Sequence, residues 1–129
     1  MSNSIADIPY MMGHCKDDMP GMEGGEQMFA QVRDSLSGKP VYLYLFNRPL
    51  PTDGRPSLSG SFHSSELWYV FYTLGRSWRP FTAGDYALSE RMVTDWTNFC
   101  KTGDPNGKSG GSWKPSKKDN PFVNEYLVD

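Results

Sequence analysis

A chain of 129 residues, 37% hydrophobic and 14% aromatic, is one domain's worth of sequence with enough apolar material for a core. Its 13 Lys and Arg stand against 15 Asp and Glu, a net charge of −2, so it lacks the basic excess of a dedicated nucleic-acid binder. No apolar run approaches the roughly 18 residues of a membrane span, and the length falls short of most hydrolytic folds that hold and cover a substrate.

The N-terminus shows no charged stretch followed by an apolar one, so no signal peptide and a cytoplasmic location are expected. Residues 5–13 end in Ile8-Pro-Tyr-Met-Met-Gly13, which suits a short buried strand with Pro9 near its start, where a missing N–H is tolerated. Residues 14–25 are rich in Gly, Asp and Met and predict a loop. Over 26–37, Met28, Phe29, Val32 and Leu36 share one helical face, and Gly38 supplies the stop. Val41 to Phe46 is continuously apolar and aromatic, the pattern of a strand covered on both sides in a parallel sheet. Residues 8–46 therefore predict a βαβ unit with a right-handed crossover.

Residues 47–61 carry Pro49, Pro51, Gly54, Pro56 and Gly60 and predict a long loop, a place where function concentrates. From Ser64 the chain turns helical, with Glu66, Leu67, Val70, Phe71 and Leu74, before an irregular connector over 75–84. Thr82 followed by Asp85 resembles a capping box with Asp in place of Glu. The stripe Leu88, Met92, Trp96 and Phe99/Cys100 then runs to Gly103, which ends the helix. Residues 103–121 form a polar loop, and 122–129 add a short extended tail. No repeat or linker divides the chain, so residues 1–129 are taken as a single domain.

Several patterns have bland readings. Lys114, Lys117 and Lys118 make a solvated basic loop. Gly107-Lys-Ser109-Gly-Gly111 fits the string of a nucleophile elbow, but a helix precedes it and no helix follows, so Ser109 belongs to a flexible loop. The same stretch is one residue short of a phosphate-binding loop and lacks its flanking strand and helix. Cys15 and Cys100 form no CxxC and have no histidine at metal-ligand spacing; free thiols are expected, and a disulfide stays open. No metal or cofactor is implied.

Two histidines remain. His14 follows the first strand and has an incidental reading. His63 ends the long loop, beyond the carboxyl end of a parallel strand, where scaffold-held bases often sit; a plain place beside a helix N-terminus stays open. Asp17 and Asp18 lie in the loop after the first strand, at the same sheet edge. A carboxylate there could accept the Nδ1–H of His63 and fix its tautomer.

Gly60-Ser-Phe-His-Ser-Ser-Glu-Leu-Trp-Tyr-Val-Phe71 resembles the G-x-x-H-x-x-E-[LI]-x-Y-V-F segment of type B carboxylesterases, the cholinesterase-like α/β-hydrolases. Lys39-Pro-Val-Tyr-Leu-Tyr-Leu-Phe46 resembles that family's late core strand. Trp78-Arg-Pro-Phe81, Leu88-Ser-Glu-Arg-Met92, Trp96-Thr-Asn-Phe99 and Thr102-Gly-Asp-Pro-Asn-Gly107 resemble its C-terminal helix and following loop. Ile8-Pro-Tyr-Met-Met-Gly13 with Lys16-Asp17-Asp18 resembles the strand and loop that bear the triad acid.

The resemblance implies a partial α/β-hydrolase fold, from the C-terminal part of a longer sequence. It implies His63 as general base and Asp18 as triad acid, in place of the family's usual glutamate, with Asp17 as fallback. Glu66 matches the acid after the histidine, fit either to cap the helix or to tune His63. The stretch between Asp18 and Val41 is shorter than the family's helical segment. The family's nucleophile elbow and oxyanion-hole glycines have no counterpart.

Three readings follow. The chain belongs to a carboxylesterase acting on a small-molecule carboxylic ester, its serine supplied by an N-terminal esterase chain. Alternatively it is a stand-alone esterase using Ser109, Ser61, Ser64 or Ser65. Or it is an inactive remnant that binds or self-associates, since a half-sheet leaves edges and faces uncovered. None of the three involves nucleic acid or a membrane.

Overall fold

A computed structural model describes residues 5–129. The run 41–46 forms a strand, β2 (Val41–Phe46), and the strand before it is β1 (Tyr10–Cys15). They pair in parallel, Tyr10 opposite Val41 and Cys15 opposite Phe46, with helix α1 (Met22–Ser35) between them in sequence. The tail forms β3 (Val123–Tyr126), which pairs in parallel with the other edge of β2, giving the order β1-β2-β3.

The central place of β2 explains its lack of a polar face. Tyr42, Tyr44 and Phe46 point into one cluster with Tyr126, Trp113 and Met92, while Val41 and Leu43 pack with Ala30 of α1 in the other. The long helix α3 (Ala83–Thr102) reaches the first face through aromatic side chains. Trp96 meets Tyr44 edge-on at 5.0 Å and Phe99 meets Tyr42 at 6.4 Å. The short helix α2 (Leu67–Val70) lies against α3, and Tyr69 stacks tilted on Phe46 at 5.0 Å.

The capping box forms as the spacing predicts. Asp85 N–H donates to Thr82 Oγ1 at 3.3 Å, and Thr82 N–H donates to Asp85 Oδ2 at 2.8 Å. Gly103 closes the helix at φ 76°, a left-handed conformation that favours glycine. Asp85 does more than cap. Arg48, beyond the end of β2, donates to both its oxygens at 2.7 and 3.0 Å, and the Tyr69 hydroxyl donates at 2.8 Å. Burial pushes the Asp85 carboxyl up, but the donors from Arg48, Thr82 and Tyr69 outweigh it and hold the group below the usual carboxylate range.

Three expectations near the N-terminus need correction. The first strand starts after Pro9, which has no N–H to give, and the Tyr10 N–H donates across to Pro40 O at 3.0 Å. It runs on through His14 and Cys15 rather than stopping at Gly13, and most of it is half-buried. The helix begins at Met22, four residues earlier than its apolar pattern predicts.

Its inner face is also a different one. Met28 and Leu36 are 68% and 72% exposed, whereas Ala30 and Arg33 are buried. The physical reason is that inward charges have partners: Arg33 pairs with Asp7 at 2.6 Å, and Glu26 with His14 at 2.9 Å. Gly38 does not carry the turn either. Ser37 takes the left-handed place at φ 54°, and Gly38 is small because the Arg33 guanidinium lies against it, where a Cβ would come within 2.8 Å of Cζ.

Two outcomes follow. Asp85 has a folded pKa below its unfolded value of about 3.9, so its stabilisation is present above that pH and is lost as pH falls through the folded value. Asp85→Asn should cost about 3 kcal/mol near neutral pH, read from urea unfolding, and should flatten the loss of stability below about pH 4. Gly13→Ala would drive a methyl into the Tyr44 carbonyl and ring on the paired strand, and should destabilise by about 2 kcal/mol or more in the same assay.

Candidate active site

Parallel pairing brings the carboxyl ends of β1 and β2 to one edge of the sheet. The turn after β1 carries Asp17 and Asp18, and the long loop after β2 returns to the same edge at Ser61–His63. Hydrogen bonds to its backbone carbonyls hold that loop in place. Leu50 N–H donates to Gly60 O at 3.0 Å, and Arg79 donates to Leu58 O at 2.8 Å.

Asp17 joins the two segments. Its N–H donates to Ser61 O at 3.0 Å, and its Oδ2 accepts the Ser61 N–H at 2.9 Å. Gly60 beside it sits at φ +135°, and a Cβ there would come within 3.3 Å of that same oxygen. The Asp17 carboxylate is thus spent on backbone.

Asp18 is the acid at the histidine. His63 Nδ1 stands 3.2 and 3.3 Å from its two oxygens. The Asp18 side chain is 6% exposed and that of His63 77%, so the acid is covered and the imidazole open. Burial pushes the Asp18 carboxyl up, but the Met19 N–H and His63 draw it below the usual carboxylate range, and it stays an anion at neutral pH. An ionised carboxylate only accepts, so Nδ1 carries the hydrogen and the Nε2 lone pair is left free. The contact orients the ring and leaves Nε2 turned away from the carboxylate.

Glu66 lies elsewhere. It makes no side-chain cap on α2, and its Oε2 accepts the Cys15 thiol hydrogen at 2.8 Å. Ser65 Oγ adds a contact to the same sulfur at 3.6 Å. Burial, with the carboxylate of Glu66, pushes the Cys15 thiol up to about 11, so it is a fixed donor rather than a nucleophile. This link ties the helix after His63 to the end of β1. Sequence reasoning misses it, because nothing in the spacing of residues 15 and 66 announces a contact. His14 likewise lies in β1, its Nδ1 against Glu26 on the α1 side of the sheet.

The serines are dispersed. Ser61 and Ser65 are buried, and Ser64 is half-buried at φ 68°. Ser109 is exposed in the loop after α3, with no strand before it and no helix after it. Among the described residues no hydrogen bond joins any serine to His63, and no group of three or more His, Cys, Asp or Glu could hold a metal.

The comparisons with known proteins agree with this architecture. The sequence profile of the carboxylesterase family matches residues 22–127. Human bile salt-activated lipase is 35% identical over 101 residues, 74% of this chain and 13% of that protein. Acetylcholinesterase of Gallus gallus is 40% identical over 114 residues, 85% of this chain and 15% of that protein. An esterase from Clostridium hathewayi that can hydrolyze aliphatic aromatic polyesters superposes with a TM-score of 0.68 at 22% identity, over 81% of this chain and 20% of that structure, a likeness of fold. The chain therefore spans about one seventh of these curated relatives' length. With most of its residues under the family profile, the chain belongs to the carboxylesterase family.

Proposed function

We propose that residues 1–129 act as one domain that supplies the general base and the orienting acid of a serine-type carboxylic-ester hydrolase. The observation that carries this reading is the contact of His63 Nδ1 with the covered Asp18 carboxylate at the carboxyl edge of parallel strands. In the reaction, His63 Nε2 takes the proton of an attacking serine hydroxyl as the ester carbonyl is attacked. The imidazolium returns that proton to the leaving alcohol, and the cycle repeats with water. Asp18 holds the ring and offsets the imidazolium charge.

The attacking serine and the oxyanion donors come from another part of the esterase, because among the described residues the strand that leads straight into a helix, β1 into α1, turns through residues 16–21, which hold no serine. Exposed Phe62, Leu67 and Phe71 flank His63 in sequence, and they support burial of this face against further polypeptide.

The chain alone should give no p-nitrophenyl ester turnover above buffer and no fluorophosphonate label. Co-expressed with the elbow-bearing N-terminal part of a family member, it should support turnover. His63→Ala should then lower kcat by about 10³-fold or more, and Asp18→Asn by a comparable factor. Turnover unaffected by His63→Ala would reject the assignment. A separate readout needs no partner: nitrogen NMR of the free chain should show His63 held with hydrogen on Nδ1, and Asp18→Asn should release that preference.

A further inference from the structure

A second polar site lies at the opposite end of the sheet, where β2 begins. A cleft of about 340 Å³ is lined there by Arg33, Ser37, Lys39, Ser116 and Lys117, with Asp34 at its side. Arg33 is only 5% exposed. One Nη donates to Asp7 at 2.6 Å, but its Nε is buried with no acceptor among the described residues. An unsatisfied buried donor on a charged group is costly and rare, and it marks a place where an acceptor is missing.

The guanidinium is also held rigidly. It lies over the Tyr10 ring, 5.5 Å from the centroid, and against Gly38, where a Cβ would collide with it. A fixed, planar fork is what binds an oxyanion with little ordering cost.

The carboxylates of Asp7 and Asp34 are each engaged through one oxygen. Asp7 Oδ1 accepts from Arg33 and from the Lys39 N–H at 2.8 Å, and Asp34 Oδ2 accepts the Lys118 N–H at 3.0 Å. The last-turn carbonyls of α1, on Val32, Arg33 and Asp34, are taken by the N–H groups of Leu36, Ser37 and Gly38. Lys39 and Lys117, both exposed, bring two further positive charges to the cleft with no salt-bridge partner among the described residues. We propose that this cleft binds a phosphate-type oxyanion, with Arg33 as the buried anchor and Lys39 and Lys117 as its charged rim. The site stands apart from His63, so its occupancy does not depend on the ester-hydrolase reading.

The test titrates inorganic phosphate into the 129-residue chain at constant ionic strength, with chloride as the balancing anion. The Arg33 Nε–H signal and the Gly38 and Lys39 amides should shift and saturate together. The exposed double variant Lys39→Gln/Lys117→Gln should retain the fold and weaken binding about tenfold. A linear, unsaturable shift, or equal affinity in the double variant, would overturn the proposal. Sedimentation with phosphatidylcholine vesicles containing phosphatidic acid, lost in the double variant, would assign the phosphate to a lipid headgroup. Saturation by inorganic phosphate without sedimentation would assign it to a soluble ligand.

Discussion

One buried carboxylate holds the site's half of the molecule together. Asp85 is fully enclosed, and it accepts five hydrogen bonds from Arg48, Tyr69 and Thr82. Those donors come from three places: the chain leaving β2, the helix after His63, and the start of α3. Placing an ionised carboxylate out of water is unfavourable unless every lone pair finds a donor. The requirement acts as a geometric condition, since the three segments must arrive together for the charge to be tolerated. Ser89 reinforces the same junction by donating to Tyr69 O at 2.6 Å.

From this junction the site is built by successive links. The Asp85 hub fixes α2, and Glu66 at its head receives the Cys15 thiol. Asp17 fastens Ser61 by two backbone bonds. His63 is therefore bracketed on both sides in sequence while its ring stays open to solvent. Rigid flanks with an accessible imidazole are what the proposed role as a base requires. Of the two adjacent aspartates, one holds the loop and the other faces the ring. A single residue of spacing along the turn separates a carboxylate bound to backbone from one that meets the imidazole.

Much of this is legible in the residues. β2 and α3 announce themselves, because an unbroken apolar run and a Thr82/Asp85 cap ending in Gly103 are local signals. The pattern around His63 points to a family that the profile match supports, and the contact it implies between His63 and Asp18 is present. The inner face of α1 is not legible. Hydrophobic periodicity assumes that charges face water, whereas Arg33 and Glu26 turn inward to partners on β1 and the segment before it. Gly38 reads as a helix stop but is small to admit a guanidinium. The Cys15–Glu66 link and the wider role of Asp85 depend on pairings far apart along the chain, which no local pattern encodes.

The last strand has a consequence for how the protein is made. Leu43 in the central strand pairs with Val123, 80 positions later in the chain. The first two strands and their helix can come together from residues 10–46, but one edge of the middle strand must wait until residues 123–126 have been made. Closing so long a loop is entropically unfavourable until the contacts form. During that interval the emerging chain presents an apolar, unpaired strand edge, the kind of surface that recruits chaperones or aggregates.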